Sequence, residues 1–121
     1  MFLEEDGADQ VADWWDGSES VYCLTIGYLE VRGAIARRLT SAAARIARAK
    51  LDDDWGEVES IVVDDGLIAR AADVIDRYRL RSLDSLHLAA ALELDVRELV
   101  VASWDADLAR AARAEGLLTA P

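Results

Sequence analysis

Arg81-Ser82-Leu83-Asp84-Ser85-Leu86-His87-Leu88-Ala89-Ala90-Ala91-Leu92 is the stretch on which the fold of this chain turns. Leucine and alanine recur here with neither Gly nor Pro, which predicts a helix over 83–94 capped by Ser82. Leu83, Leu86, Ala90 and Leu94 stand at helical spacing and are expected to face inward. Asp84 then falls in the first turn, where the positive end of the helix dipole favours a carboxylate. His87, the one histidine, follows a turn later; a packing role is the plainer reading of it than a general base.

Working outward toward the C-terminus, Leu99–Ser103 is a compact apolar run expected to be a strand. Asp105 begins a helix to Glu115, Gly116 stops it, and Leu117–Thr119 forms a last edge strand. Toward the N-terminus, Asp64 or Asp65 caps a helix to Tyr78 with Leu67, Ala71, Val74 and Ile75 inward. Val58–Val63 is a short extended segment. Before it, Thr40-Ser41 opens a helix to about Asp52, closed off by Trp55-Gly56. Thr25 caps a helix from Ile26 to about Leu39, with Ile26, Leu29, Gly33 and Ala36 on its apolar face. Ser20–Leu24 is a strand, and Ala8–Trp15 a short helix with Val11, Trp14 and Trp15 on its apolar side. Strands alternating with helices imply an α/β fold, a parallel sheet flanked by helices.

A chain of 121 residues is one domain's worth, and 53% apolar against 31% charged residues is a globular mix. The net charge of −11 repels phosphate backbones on average, which argues against broad non-specific nucleic-acid binding. It does not argue against a nuclease, because metal-binding carboxylates themselves add negative charge. Cys23 has no partner for an internal disulfide and sits in an apolar strand, so a buried free thiol is expected rather than a nucleophile. The acidic start, Met1-Phe2-Leu3-Glu4-Glu5-Asp6, does not resemble a secretory signal, and no apolar run approaches membrane-spanning length. A cytoplasmic protein is expected.

In α/β sheets the reactive groups collect where strands end and helices begin. Three acids stand at such places: Glu30 one turn into the helix after the Cys23 strand, Asp84 in its first turn, and Asp105 directly after the Leu99–Ser103 strand. Carboxylate oxygens are what hard cations such as Mg²⁺ and Mn²⁺ prefer, and converging acids suit metal-assisted phosphodiester hydrolysis. For any single acid, a helix cap or a solvated charge is the commoner role.

Tyr28-Leu29-Glu30-Val31-Arg32, the Arg81–Leu92 stretch, and Val101-Ala102-Ser103-Trp104-Asp105-Ala106-Asp107-Leu108 follow one another in this order. They resemble the second, third and fourth motifs of PIN domains, most closely the VapC-type toxins of bacterial toxin–antitoxin pairs. Ala111–Leu117 is similar to that family's closing helix and edge strand. The resemblance covers nearly the whole chain and implies a single PIN-like domain over 1–121. It further implies an endoribonuclease that depends on Mg²⁺ or Mn²⁺ and is neutralised by a small VapB-like antitoxin. Position by position, the family's metal-coordinating and catalytic acids fall on Glu30, Asp84 and Asp105. Ser103 falls where a hydroxyl often assists the site, and Asp107 is an extra candidate whose plainer role is a first-turn acid. The family opens with a central strand followed by Asp-Thr/Ser-x-x-Leu. Met1–Glu5 matches the helix after that motif, so the chain is expected to start beyond this strand and its Asp. Gly27 also departs, standing where the family often has Thr or Ser. The alternative these departures raise is a catalytically inactive PIN-like module that binds antitoxin or dimerises.

Arg32, Arg37, Arg38, Arg45, Arg48 and Lys50 form the one basic stretch, with no acid between them. It reads either as a contact for RNA phosphates or an acidic antitoxin segment, or as two solvated helix faces. Trp14, Trp15, Tyr28, Trp55 and Trp104 are candidate stacking platforms. Trp14 and Trp15 are adjacent and cannot both face one core, so a homodimer or antitoxin interface is expected at one of them.

Overall fold

The computed structural model describes residues 20–94, 96, 98–103 and 105–120. The expected helix over 8–15, with Trp14 and Trp15, lies outside the described residues, as does Trp104. The chain divides after Val62 into two units.

In the first unit, β1 (Val21–Leu24) leads into α1 (Gly27–Arg38) and α2 (Ser41–Trp55), and β2 (Val58–Ile61) returns parallel to β1. The register runs from Val21 opposite Val58 to Leu24 opposite Ile61. Tyr28, Val31, Ile35 and Leu39 of α1 and its C-cap recur at helical spacing, as do Ala44, Ala47, Leu51 and Trp55 of α2. These two stripes pack into one core in which Ile35 and Leu51 are fully buried. The expected face of α1 is therefore wrong: Leu29 is 69% exposed and Ala36 is exposed. Two overlapping apolar stripes existed in that stretch, and the one opposite α2 won. Thr25 does not cap α1 either. Its N–H and hydroxyl both donate to the Ile61 carbonyl, at 2.9 and 3.2 Å, tying the β1–α1 turn to the end of β2.

Gly27 has a local reason. A Cβ there would stand 2.7 Å from Cys23 Sγ, so the thiol fills the space a larger residue would need. Cys23 is half-buried rather than buried, and it is a free thiol. Burial pushes its pKa up, and the Glu30 charge adds to this against a hydrogen bond with the Leu24 backbone. Such a thiol is a poor nucleophile near neutral pH, as expected.

In the second unit, α3 (Asp65–Tyr78) and α4 (Ser82–Glu93) form a helical pair. They precede β3 (Val100–Ala102), α5 (Ala106–Ala114) and β4 (Leu118–Ala120), with β4 parallel to β3. Val74, Leu80, Leu88, Leu108, Ala111 and Ala112 make the buried core, flanked by Tyr78, Leu92, Val101 and Leu117. Asp64 caps α3 by accepting from the Leu67 N–H at 2.8 Å. Asp64→Ala is expected to cost about 1 kcal/mol, read by thermal or urea unfolding, and Asp64→Ser to recover most of it; equal stability of all three would remove the cap from the account. At the end of α5 the Gly116 and Leu117 N–H groups return to the carbonyls of Arg113 and Ala112, both at 3.0 Å. This closure needs the φ of +86° that Gly116 supplies.

The inward face of α4 differs from expectation. Apolar residues lie on nearly every side of this helix, so spacing alone does not choose a face. Ser85, Leu88, Ala89 and Ala90 are buried, while Leu83 and Leu86 remain half-exposed. Ser85 belongs to the stripe because its hydroxyl is satisfied locally, donating to the Ser82 carbonyl at 2.6 Å. Ser82 is the first residue of the helix and not its cap. Across the whole, the α/β class and parallel pairing match expectation, but among the described residues the strands form two separate pairs rather than one sheet.

Candidate metal centre

Asp105 stands where β3 gives way to α5, and its two oxygens have separate jobs. Oδ1 accepts from the Leu108 N–H at 2.9 Å and caps α5; Oδ2 accepts from Arg81 Nη2 at 3.0 Å. Ser103 sets the approach: its hydroxyl accepts the Asp105 N–H at 3.0 Å, and its own N–H donates to the carbonyl of Ala120, the last residue of β4. The Leu108 hydrogen bond holds the Asp105 carboxyl below the usual aspartate range. Partial desolvation works against this, and the Arg81 charge reinforces it.

Asp84 sits in the first turn of α4, and its Oδ2 accepts from both Nε and Nη2 of Arg81 at 3.3 Å. One guanidinium nitrogen thus reaches both carboxylates. The acids are the sheltered partners, with side chains 17% and 31% exposed, and the arginine is the outer one at 80%. Both carboxylates lie at the N-terminal ends of helices.

Arg81 was in the motif that decides the fold, yet nothing in the sequence marks it as part of the site. Its spacing of three from Asp84 makes that one pairing legible; its reach to Asp105 depends on how α4 meets α5. Asp107 takes the plainer of its two roles, exposed in the first turn of α5 and paired with Arg110 at 2.9 Å.

Glu30 belongs to the first unit, exposed in the first turn of α1, where its backbone N–H donates to the Ile26 carbonyl. Within neither unit do three His, Cys, Asp or Glu side chains among the described residues stand together as a ready-made metal cage. The second unit supplies a pair of acids. An all-carboxylate donor set suits a hard cation, and a pair already sharing one positive group is disposed to hold one.

The basic stretch is partly spent inside the first unit. Arg32 donates to the Tyr28 hydroxyl at 2.9 Å and lies over its ring, Tyr28 donates to Asp52, and Lys50 pairs with Asp54. Tyr28 and Trp55 meet edge to face at 5.5 Å within the core, a packing role rather than a stacking platform. Among the described residues no helix is long and apolar enough to cross a membrane.

An α/β chain with parallel strand pairs and acids at its strand-to-helix junctions has the makings of a PIN domain, and the PIN-domain family model matches residues 1–114. The chain belongs to the PIN-domain family. Within it the similarity is to VapC-type proteins, namely Ribonuclease VapC45 of Mycobacterium tuberculosis (strain CDC 1551 / Oshkosh) and Ribonuclease VapC49 of Mycobacterium tuberculosis (strain ATCC 25618 / H37Rv). Each is 30% identical over 126 residues, covering all of this chain and 88% of the relative. No solved structure matches the chain significantly.

Proposed function

We propose that this chain is the ribonuclease toxin of a VapBC-type toxin–antitoxin pair. It would cleave RNA phosphodiesters in the cytoplasm with Mg²⁺ or Mn²⁺ held by Glu30, Asp84 and Asp105. A VapB-like antitoxin and a second copy of the chain are its partners in this reading. The observation that carries it is the Asp84–Asp105 pair converging on one cationic group, in a chain whose relatives are named ribonucleases.

The division of labour follows from the contacts. Asp105 keeps Oδ1 on the Leu108 N–H and has Oδ2 to offer a cation, while Asp84 presents Oδ2 from the first turn of α4. Ser103 holds the Asp105 backbone, so this donor does not drift with the loop. Glu30, on α1, is the third oxygen donor that the resemblance to PIN domains assigns to the metal. A bound divalent cation would acidify the attacking water and neutralise charge on the scissile phosphate. The N-terminal ends of α4 and α5 add positive potential beside the phosphate.

With the protein freed of any antitoxin, Mn²⁺-dependent cleavage of RNA is expected. Asp84→Asn should lower it at least about 100-fold, as should chelation. Cleavage that ignores both chelator and Asp84→Asn would refute the metal mechanism. No cleavage by the wild-type chain, together with retained antitoxin binding, would select the inactive module instead.

A further inference from the structure

The arginine between the two acids is the least expected member of the site. Its guanidinium, on a side chain 80% exposed, spans the more sheltered Asp84 and Asp105. Asp105 is held by the α5 cap and Ser103, whereas Asp84 has its backbone fixed in the first turn of α4 and its carboxylate on Arg81. Asp105 therefore keeps its place on α5 without the arginine, through the Leu108 N–H. The arginine, on a long exposed stem, is the member free to leave.

We infer that Arg81 is a positioning residue of the metal site, a built-in counter-cation that occupies Asp84 and Asp105 in the metal-free protein and yields to the divalent ion. This rests on the reading of these acids as metal ligands. A divalent ion and the guanidinium compete for these carboxylates, because both seek the Oδ2 atoms and like charges at this distance repel. Arg81 therefore competes with the metal, weakening its apparent affinity while keeping the paired carboxylates from repelling each other when no metal is bound. Because the contact is exposed, the competition is modest and salt-sensitive.

The test is a titration of Mn²⁺ by calorimetry on the purified full-length chain, wild type, Arg81→Ala and Arg81→Lys. Thermal melts with and without saturating Mn²⁺ accompany it. Arg81→Ala is expected to tighten Mn²⁺ binding at least about threefold at low salt, and Arg81→Lys by less. The gain should shrink as salt rises, and the stabilisation by Mn²⁺ should be larger in Arg81→Ala than in wild type. Equal or weaker Mn²⁺ binding by Arg81→Ala, in a protein whose wild type binds Mn²⁺, overturns the role of Arg81 alone. Absence of saturable binding in all three chains overturns the metal site and the inference with it. Binding seen only in Arg81→Ala is the strongest support.

Discussion

Asp105→Ser is expected to fold like the wild type and yet lose RNA cleavage, whereas Asp105→Ala loses both stability and cleavage. The reason is the division of its carboxylate. Oδ1 caps α5 through the Leu108 N–H, a task a serine hydroxyl performs nearly as well. Oδ2 faces Arg81 and, in the proposed function, the metal; a hydroxyl has no charge to offer there. Cleavage should fall at least about 100-fold in both variants, while the melting temperature falls only with Ala. If Asp105→Ser cleaves RNA at the wild-type rate, Asp105 is a cap and nothing more.

The same residue gives a pH dependence with a definite sign. Its folded carboxyl titrates below the usual aspartate value, because the Leu108 N–H and the Arg81 charge favour the ionised form. A depressed folded pKa means the stabilisation is fully present above the unfolded value and is lost as pH falls through the folded one. Acid unfolding in the range below the ordinary aspartate value should therefore be less steep in Asp105→Ser than in wild type.

The second large effect lies in the core that holds the pair together. Leu88 is fully buried on α4, one turn beyond Asp84, and packs into the cluster shared with Leu108 of α5. Leu88→Ala is expected to cost about 2–5 kcal/mol, set by lost transfer energy and by the cavity left behind. Against a typical total of about 5–15 kcal/mol this is a large share. Urea unfolding should show a much lower midpoint at unchanged slope. Leu88→Met, which conserves volume, should cost less than about 1.5 kcal/mol. A loss under about 1 kcal/mol for Leu88→Ala would mean that this core does not set the stability.

Much of the molecule was legible in the chain itself. The element order was, because strand and helix periods differ and the boundaries carry chemical signals. Asp64 and Asp105 accept from N–H groups three residues on, and Gly116 supplies the left-handed residue that ends α5. The acids at the strand-to-helix junctions were legible for the same reason, since a first-turn or capping acid follows from local geometry.

What required the tertiary structure was the choice among faces and partners. α1 has two candidate apolar stripes, and only the presence of α2 selects Tyr28, Val31, Ile35 and Leu39 over Leu29 and Ala36. α4 is apolar nearly all round, so its buried face, Ser85 included, is decided by α3 and α5. Gly27 reads as an odd substitution until Cys23 Sγ is seen filling its place. Arg81 is the sharpest case. Its pairing with Asp84 is local, but its reach to Asp105, twenty-four residues away, exists only because α4 and α5 are packed through Leu88 and Leu108. Local signals determine where a carboxylate stands on its own element; packing alone determines which charges it meets.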